Sequence, residues 1–298
     1  MIRILGTIFA GLLGLAFGSF LNVCLSRWPA GESVVKPRSH CRQCNRTLAW
    51  WENVPLISWL ALRGRCRTCH SWISWRYPLV ELTVGLLWAS QVWKYLSVWS
   101  QEDLLTYYLP YLIRHPERLG YMVGWAIFLW LLVALSVLDA ENLWLPDWLT
   151  LPGILLGFIC TVIRTRFLFE MEHANPPLRL GMLECIFSIL AAAALILLIR
   201  WVYWLIRRRE GIGLGDAKLM ALLAAWLGLP GALLSFGLGV VLGALVAVIL
   251  LVIPSARRGS ERWAMSKLPL GTFLCIGGII SSLWGQPIFN AYLRWAGF

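Results

Sequence analysis

Charged side chains are scarce in this sequence, and the acidic ones are scarcer than the basic ones. Of 298 residues only 14% are charged, with 15 aspartates and glutamates against 26 lysines and arginines, whereas 59% are hydrophobic. An ordinary soluble domain carries about 25% charged residues and a smaller apolar share. With a mean hydropathy of +0.70, this shortage of charge excludes a soluble globular protein and predicts an integral membrane protein.

Apolar runs near the roughly 20 residues that a helix needs to cross a bilayer recur along the chain. They predict an all-α, polytopic fold with about eight transmembrane helices. The first run follows a single cation, Arg3, and ends in LNVC (21–24), a poor lipobox, so we expect a retained helix and not a cleaved signal peptide. The expected spans are 2–26, 78–98, 119–138, 149–165, 180–206, 218–229, 231–253 and 269–286.

The surplus of cations does not indicate a nucleic-acid partner, because the lysines and arginines cluster between apolar runs. Seventeen of the 26 lie in three segments, 27–77, 207–218 and 254–268. Cytoplasmic loops of membrane proteins carry such an excess, and an even number of expected spans separates the three segments. We therefore expect these segments in the cytoplasm, both chain termini on the opposite side and lipid as the surrounding partner.

Four of the eight cysteines form two CxxC pairs in the first basic loop, and 21 residues separate the pairs. Four thiolates at this spacing predict a tetrahedral zinc site, which in a reducing cytoplasm is favoured over disulfides. Because no ligand position stays open, the metal is expected to be structural and to organise loop 27–77. The expected ligands are Cys41, Cys44, Cys66 and Cys69. His40 and His70 are interpreted as neighbours of the ligands, and the other four cysteines as packing residues.

Two acidic groups from distant parts of the sequence are expected at the same side of the membrane. Asp139, Glu141 and Asp147 follow one apolar run, and Asp216 precedes another. Carboxylates at the edge of hydrocarbon are functional candidates, and two that converge can share a proton in acid–base hydrolysis. Asp147 follows Pro146 and is interpreted first as a helix N-cap.

Helix ends suggest different roles for Asp139 and Asp216. Asp139 lies at the end of an expected helix, where negative charge is disfavoured, and Asp216 lies at the start of one, where it is favoured. The hypothesis is therefore that Asp216 is the base and that Asp139 holds the proton.

The glycine-rich run before Asp216 lacks the preceding strand that a phosphate-binding loop requires. Gly211, Gly213 and Gly215 are expected instead to admit an extended peptide or to adopt positive φ beside the acid. A simple interhelical turn with Asp216 as N-cap remains the alternative.

These residues carry a resemblance to a known family. Gly-Leu-Gly-Asp at 213–216 resembles the GxGD signature of intramembrane aspartic proteases, and the whole chain resembles the type IV prepilin peptidases. The motifs that match in order are GSFLNVCLSRWP (18–29), the two CxxC pairs around WENVPLISWLALRGR, RYPLVEL (76–82), LDAENLWLPDWLTLP (138–152) and LGDAKLMALLAAWLG (214–228).

The resemblance implies a bacterial inner-membrane aspartic peptidase that removes the leader of prepilins or pseudopilins after a glycine at the cytoplasmic face. It implies Asp139 and Asp216 as the catalytic pair, with Gly213 and Gly215 in the supporting turn. It also implies methylation of the new amino terminus with S-adenosylmethionine, for which the residues themselves reveal no binding site. The expected parts are a first transmembrane helix (1–26), a zinc loop (27–77), a second helix with a periplasmic loop (78–118) and the peptidase core (119–298).

Departures and rival interpretations remain open at this point. Arg42 stands where the family often has proline, Glu141 replaces a frequent aspartate, and PLGTF (269–273) differs from the usual PFGP, which is expected to alter substrate or cofactor fit.

Two further acids and the overall function have more than one interpretation. Glu81 is expected to contact a basic leader or a neighbouring helix, and Glu52 to be a solvated loop acid or part of a methylation site. The alternatives are a peptidase without methyltransferase activity and a non-catalytic membrane adaptor of a secretion or pilus system.

Overall fold

The computed structural model describes residues 2–97, 116–172, 178–209, 213–252 and 268–297. Within these ranges the regular structure is helical, and the only extended pairings are two isolated antiparallel bridges, His40 with Thr47 and Arg65 with Trp72. The predicted all-α class is confirmed. The helices are α1 Ile2–Arg27, α2 Ile57–Ala61, α3 Arg76–Ser97, α4 Pro116–Asn142, α5 Asp147–Glu172, α6 Leu178–Arg207, α7 Leu214–Val252 and α8 Leu270–Ala296, with short 3₁₀ turns at Trp28–Ala30 and Trp50–Asn53.

Six of the described helices, α1 and α4 to α8, are long and apolar enough to cross a membrane. The chain is therefore a multi-pass membrane protein, with six such helices where the sequence predicts eight spans. One difference is α3, which is helical as predicted but contains Arg76, Glu81 and Lys94 and is less apolar. The other is α7, in which the two expected spans 218–229 and 231–253 are two helical segments that follow each other without a loop across a kink at Gly228.

The chain divides into two compact units, Met1–Leu119 and Gly120–Phe298. In the first unit α1 packs on α3 through glycines that let the two backbones approach closely. A Cβ atom at position 18 would lie 2.7 Å from the Cα atom of Glu81, and one at position 14 would lie 2.9 Å from the Cα atom of Gly85. Small residues at such crossings are the usual means of packing helices within lipid.

The loop between α1 and α3 is tied to the helix ends by buried polar groups. The Arg27 guanidinium donates to the carbonyls of Ser33 and Pro37 at 2.8 and 2.7 Å. From α3, the Glu81 carboxylate accepts a hydrogen bond from the Leu56 amide at 2.8 Å. The carboxylate also forms side-chain hydrogen bonds with Ser19 and Asn22 of α1, in agreement with the expected contact to a neighbouring helix.

In the second unit α7 is the central helix and contacts α5, α6 and α8. Residues 219–226 are buried on every side. Trp226 stacks on Phe128 of α4 with ring centroids 4.8 Å apart, and its indole donates to the Gly153 carbonyl of α5 at 2.9 Å. The first part of α7 is therefore enclosed by the other helices of the unit.

The chain reverses direction within α7. Gly228 has a left-handed φ of 69°, which a side chain disfavours, and Pro230 follows it.

The two segments on either side of this reversal pack against α8 in opposite directions. After the reversal, Gly239 lies against Phe273 and Ser235 against Gly277, so segment 229–252 runs antiparallel to α8. Before it, Leu223 lies against Gly278, while Gly215 and Gly271 share contacts with Leu145, so segment 214–227 runs parallel to α8. The two spans expected from the sequence therefore correspond to two segments of opposite direction.

Carbonyl groups near the reversal find side-chain donors on neighbouring helices. Thr161 donates through its hydroxyl to the Ala225 carbonyl at 2.9 Å, and Ser281 donates to the Gly231 carbonyl at 3.0 Å. Backbone groups that lack a helical partner within a bilayer need such bonds. The hydroxyls thus stabilise the backbone on both sides of the turn at Gly228.

Candidate functional site

Asp139 is placed by the end of α4 and bound by the start of α8. Its side chain is 6% exposed, and its Oδ2 atom accepts the Thr272 amide at 2.7 Å and lies 3.2 Å from the Thr272 hydroxyl. The same hydroxyl donates to the Ser136 carbonyl of α4 at 2.9 Å. Thr272 therefore fixes both the backbone of the last turns of α4 and one oxygen of the carboxyl group.

Gly271 permits this close approach of α8 to Asp139. A Cβ atom at position 271 would lie 2.9 Å from Asp139 Oδ2 and 3.0 Å from the Leu145 side chain. Leu145 also lies against Gly215, where a Cβ atom would be only 3.1 Å away. Leu145 thus contacts the backbone beside both acids, so Asp139 and Asp216 lie at the same end of the second unit.

Asp216 lies in the first turn of α7 and is 9% exposed. Its Oδ2 atom accepts the Gly213 amide at 3.2 Å, so the carboxyl group bonds back to the residue before its own helix. This is the reciprocal bond of a capping box, made by a residue inside the first turn and not by an N-cap.

A positive φ was one of the two expectations for these glycines. It is wrong for Gly213 and Gly215, whose φ angles are not positive. Gly215 instead leaves room for the Leu145 side chain, because a Cβ atom at position 215 would lie only 3.1 Å from it. Gly211 lies outside the described residues.

The other two acids of the first acidic group are placed differently. Glu141 is exposed. Asp147 is the first residue of α5, and the carbonyl of Pro146 accepts the Leu149 and Thr150 amides, so Pro146 occupies the cap position that was predicted for Asp147. The carboxylate of Asp147 pairs with Lys218 of α7.

In the first unit, the four cysteines of the CxxC pairs form one cluster. Their Sγ atoms all lie within 4.8 Å of one another, and those of Cys41 and Cys69 are 3.7 Å apart. Four sulfurs bound to a tetrahedral metal at about 2.3 Å would be about 3.8 Å apart. The donor set and its spacing therefore fit a metal ion of the zinc type.

Both CxxC pairs are held by the same local backbone. The amides of Cys41 and Cys66 donate to the carbonyls five residues later, and those of Asn45 and His70 donate back to the carbonyls of Cys41 and Cys66. Asn45 and His70 have left-handed φ values of 55° and 54°. The sequence repeat CRQC and CRTC thus produces two matching turns that face each other across the cluster. The His40 ring bonds the Arg38 carbonyl at 3.1 Å, in agreement with a non-ligand role.

Glu52 is a buried anchor of this loop. Its side chain is 1% exposed, and it accepts hydrogen bonds from the Arg46 guanidinium at 2.6 Å and from the Ala49 amide at 2.7 Å. The hydrogen bond from Arg46 lowers the pKa of Glu52, and the Ala49 amide acts in the same direction. The expectation of a solvated loop acid is therefore wrong, because the carboxylate bridges the first CxxC turn and the next 3₁₀ turn.

Two family models match the chain. The Bacterial Peptidase A24 N-terminal domain matches residues 12–95, and the Type IV leader peptidase family matches residues 126–248. A protein of Stutzerimonas stutzeri named prepilin leader peptidase/N-methyltransferase is 32% identical over 96% of this chain and 93% of its own length. The chain belongs to the type IV leader peptidase family. The resemblance stated from the sequence motifs is confirmed.

Further relatives have the same name. A type IV leader peptidase family protein of Pseudomonas putida is 34% identical over 97% of this chain and 94% of its own length. One of Myxococcus xanthus is 36% identical over 89% of this chain and 68% of its own length. No solved structure matches the chain.

The structure of this type IV leader peptidase family member also identifies residues that the sequence motifs did not assign. Thr272, Gly271 and Leu145 surround the carboxyl group of Asp139 or the backbone of Asp216. The only sequence signal for Gly271 and Thr272 was PLGTF, which departs from the usual motif and was expected to affect substrate or cofactor fit, and Leu145 lies unremarked within LDAENLWLPDWLTLP. In the structure this segment contacts the carboxyl group of Asp139.

Proposed function

We propose that the chain is a membrane aspartic endopeptidase that cleaves the leader peptide of type IV prepilins or pseudopilins after a glycine and then methylates the new amino terminus. The peptidase activity would use Asp139 and Asp216, with Gly213 and Gly215 in the turn that supports Asp216.

The observation that carries the proposal is the convergence of these two carboxyl groups. Among the described residues, Asp139 and Asp216 are the buried acids of the second unit, and they come from helices far apart in sequence. Burial of two acids is costly unless they pair with a cation, share a proton or serve a reaction. Lys218, the cation closest in sequence, is paired with Asp147.

Such a pair suits hydrolysis of a peptide bond. One ionised carboxylate takes a proton from water, and one protonated carboxyl polarises the scissile carbonyl. A prepilin whose basic leader stays in the cytoplasm and whose apolar helix lies in the bilayer would present its cleavage point near the membrane surface. We place the pair at the cytoplasmic face of the bacterial inner membrane, since the basic segment 207–209 directly precedes the turn before Asp216.

The four-cysteine cluster is proposed to hold one structural zinc ion. Cys41, Cys44, Cys66 and Cys69 would supply all four ligands, which leaves no position for substrate or water. The ion would stabilise the fold of loop 27–77 and would take no part in the hydrolysis.

The methyltransferase activity is proposed from the printed names of the relatives, and it requires S-adenosylmethionine as methyl donor. Among the described residues we assign none to this donor, and we derive no step for the methyl transfer. Lipid is the surrounding partner, and nucleic acid is not proposed as one.

The test is to incubate the purified full chain with a prepilin and S-adenosylmethionine and to measure product masses. Wild type should remove the leader and add one methyl group. Asp139→Asn and Asp216→Asn should each lower the cleavage rate by about 1,000-fold or more, because each removes one acid–base group. Lys94→Gln, in the first unit, is a charge-changing control that should cleave normally.

The other outcomes separate the alternatives. Cleavage without added methyl mass would indicate a peptidase that lacks the second activity. Normal cleavage by both aspartate variants would overturn the assignment of the pair. No cleavage by a zinc-loaded, folded wild type with any of several prepilins would favour the membrane adaptor.

A further inference from the structure

The two proposed catalytic acids differ in the hydrogen-bond donors around them. Asp139 Oδ2 accepts a short bond from the Thr272 amide, at 2.7 Å, and the Thr272 hydroxyl lies 3.2 Å from the same oxygen. Asp216 Oδ2 accepts one longer bond, from the Gly213 amide at 3.2 Å. Donors to a carboxylate oxygen favour its ionised form, and short bonds favour it more.

The Thr272 hydroxyl is a second donor toward the same oxygen. Asp139 Oδ2 accepts the Thr272 amide, and the hydroxyl donates to this oxygen at 3.2 Å. The Thr272 hydroxyl therefore faces an acceptor, and its one hydrogen is shared between Asp139 Oδ2 and the Ser136 carbonyl at 2.9 Å. Both groups of Thr272 thus stabilise negative charge on Asp139.

The position of Thr272 in its helix adds to this effect. α8 begins at Leu270, so the Thr272 amide is one of the first-turn amides that no carbonyl of the helix can satisfy. The Asp139 carboxylate satisfies it from outside and lies at the positive end of the α8 dipole. Asp139 lies in the last turn of α4, where the dipole of its own helix disfavours a negative charge. Its carboxyl group, however, accepts a hydrogen bond from the first turn of α8.

We infer that Thr272 and the start of α8 hold Asp139 as the ionised member of the pair, so that Asp139 is the general base and Asp216 carries the proton. This rests on the proposed peptidase function and deepens it. It reverses the roles expected from the sequence, because that argument considered only the helix to which each acid belongs.

Within the described part of the chain, the other charged or titratable groups near the pair do not reverse this order. The Lys218 ammonium lies two residues from Asp216 but is bonded to Asp147. Cys275 of α8 is fully buried, and a free cysteine in such a position behaves as a small hydrophobic side chain.

The reaction then proceeds in two balanced steps. In the first, Asp139 takes one proton from water, the water oxygen bonds to the scissile carbonyl carbon, and Asp216 gives its proton to the carbonyl oxygen, which forms a gem-diol. In the second, Asp139 gives its proton to the leaving nitrogen, the carbon–nitrogen bond breaks, and Asp216 takes a proton back from the gem-diol. The products are an acid and an amine, and both side chains return to their first state.

Selective esterification of the wild-type chain in lipid nanodiscs tests the assignment. An epoxide is opened by an ionised carboxylate, whereas a diazoacetyl ester reacts with a protonated carboxyl group. Peptide mapping by mass spectrometry should find the epoxide on Asp139 and the diazo reagent on Asp216. The reverse pattern, or equal labelling of both acids by each reagent, would overturn the inference.

Three variants of Thr272 provide an independent measurement of cleavage kinetics. Thr272→Ser keeps both donors and should retain kcat. Thr272→Val removes only the shared hydroxyl and should lower kcat by about 10-fold with KM unchanged, since hydrogen bonds to charged groups contribute on this scale. Thr272→Pro removes both donors at a first-turn position that tolerates proline and should lower kcat more than Thr272→Val does.

The variants remain informative if the reagents react with neither acid. Equal kcat values for the serine and valine variants, in chains with wild-type helix content and zinc content, would overturn the role of Thr272. Failure of the proposed function is recognised separately, because Asp139→Asn and Asp216→Asn would then cleave as wild type does.

Discussion

The Lys218 ammonium lies 2.5 Å from the Asp147 carboxylate and joins the first turns of α5 and α7. Asp147 is 58% exposed and Lys218 36% exposed in their side chains, whereas Asp139 and Asp216 are buried. Two acids of one sequence motif, LDAENLWLPD, therefore have different environments. One is buried beside α8, and the other forms an ion pair at the surface of the unit.

Loss of this ion pair should have a small effect. We expect Asp147→Asn to cost less than about 1 kcal/mol in the free energy of unfolding, because exposed pairs contribute little, and to lower cleavage less than about fivefold. Lys218→Met should give the same result, and the double variant should add little to either. A loss of cleavage as large as that of Asp139→Asn would instead place Asp147 among the catalytic acids.

Addition of one methyl group at Gly271 should disturb Asp139. In Gly271→Ala the new Cβ atom would lie 2.9 Å from Asp139 Oδ2 and 3.0 Å from Leu145. We expect a loss of about 1–3 kcal/mol in stability from overpacking and a fall in cleavage of more than about 10-fold. Thermal unfolding and initial cleavage rates measure the two effects.

The matched control is Gly237→Ala in α7, where a Cβ atom would meet no neighbour within 4 Å. This variant should keep wild-type cleavage and gain up to about 1 kcal/mol in stability, because alanine is the better helix former. Equal cleavage by the two alanine variants would contradict the close approach of α8 to Asp139.

Removal of one cluster thiolate should release the metal and loosen the loop. Cys66 is the buried member of the cluster. We expect wild type to contain one zinc per chain by elemental analysis, and Cys66→Ser to contain none and to lose the protease resistance of residues 28–75. Cys160→Ala, at a buried cysteine of α5 outside the cluster, should keep its zinc. Retention of zinc by Cys66→Ser would contradict four-cysteine ligation.

The Arg46–Glu52 pair should stabilise the loop in a pH-dependent manner. Since Arg46 lowers the pKa of Glu52 below its ordinary value of 4.5, the stabilisation is present above that pH and is lost as the pH falls through the folded-state pKa. Glu52→Gln should cost about 1–3 kcal/mol at neutral pH, as for other bonds to charged groups. The difference between wild type and variant, measured by proteolysis of the loop on heating, should shrink in acid. A difference that is independent of pH would contradict the pair.

Local patterns in the sequence predicted most of the fold and much of the candidate site. Runs of apolar residues predicted the helices, and the repeated CxxC spacing predicted the cysteine cluster. The sequence also singled out Asp139 and Asp216, which the structure brings to one end of the second unit. Each of these features depends on residues close together in the chain or on composition alone.

Features that depend on contacts between distant segments were not predictable in this way. Thr272 binds a carboxyl group 133 positions earlier, and no periodicity indicates this bond. Glu52 was misjudged because its burial depends on Arg46 and on a turn whose shape the spacing does not reveal. The hypothesis on proton roles used the helix of each acid and could not include the helix that packs against it.

The reversal of α7 at Gly228 also affects how the chain enters the membrane. Segment 214–227 is about 20 Å long, at 1.5 Å per residue, which is shorter than a hydrocarbon core of about 30 Å. It therefore inserts together with segment 229–252 as a helical hairpin. Because α8 is synthesised after both, the Asp139 carboxyl group acquires its Thr272 partner last. Until α8 enters the bilayer, a nascent chain therefore lacks the Thr272 donors at Asp139.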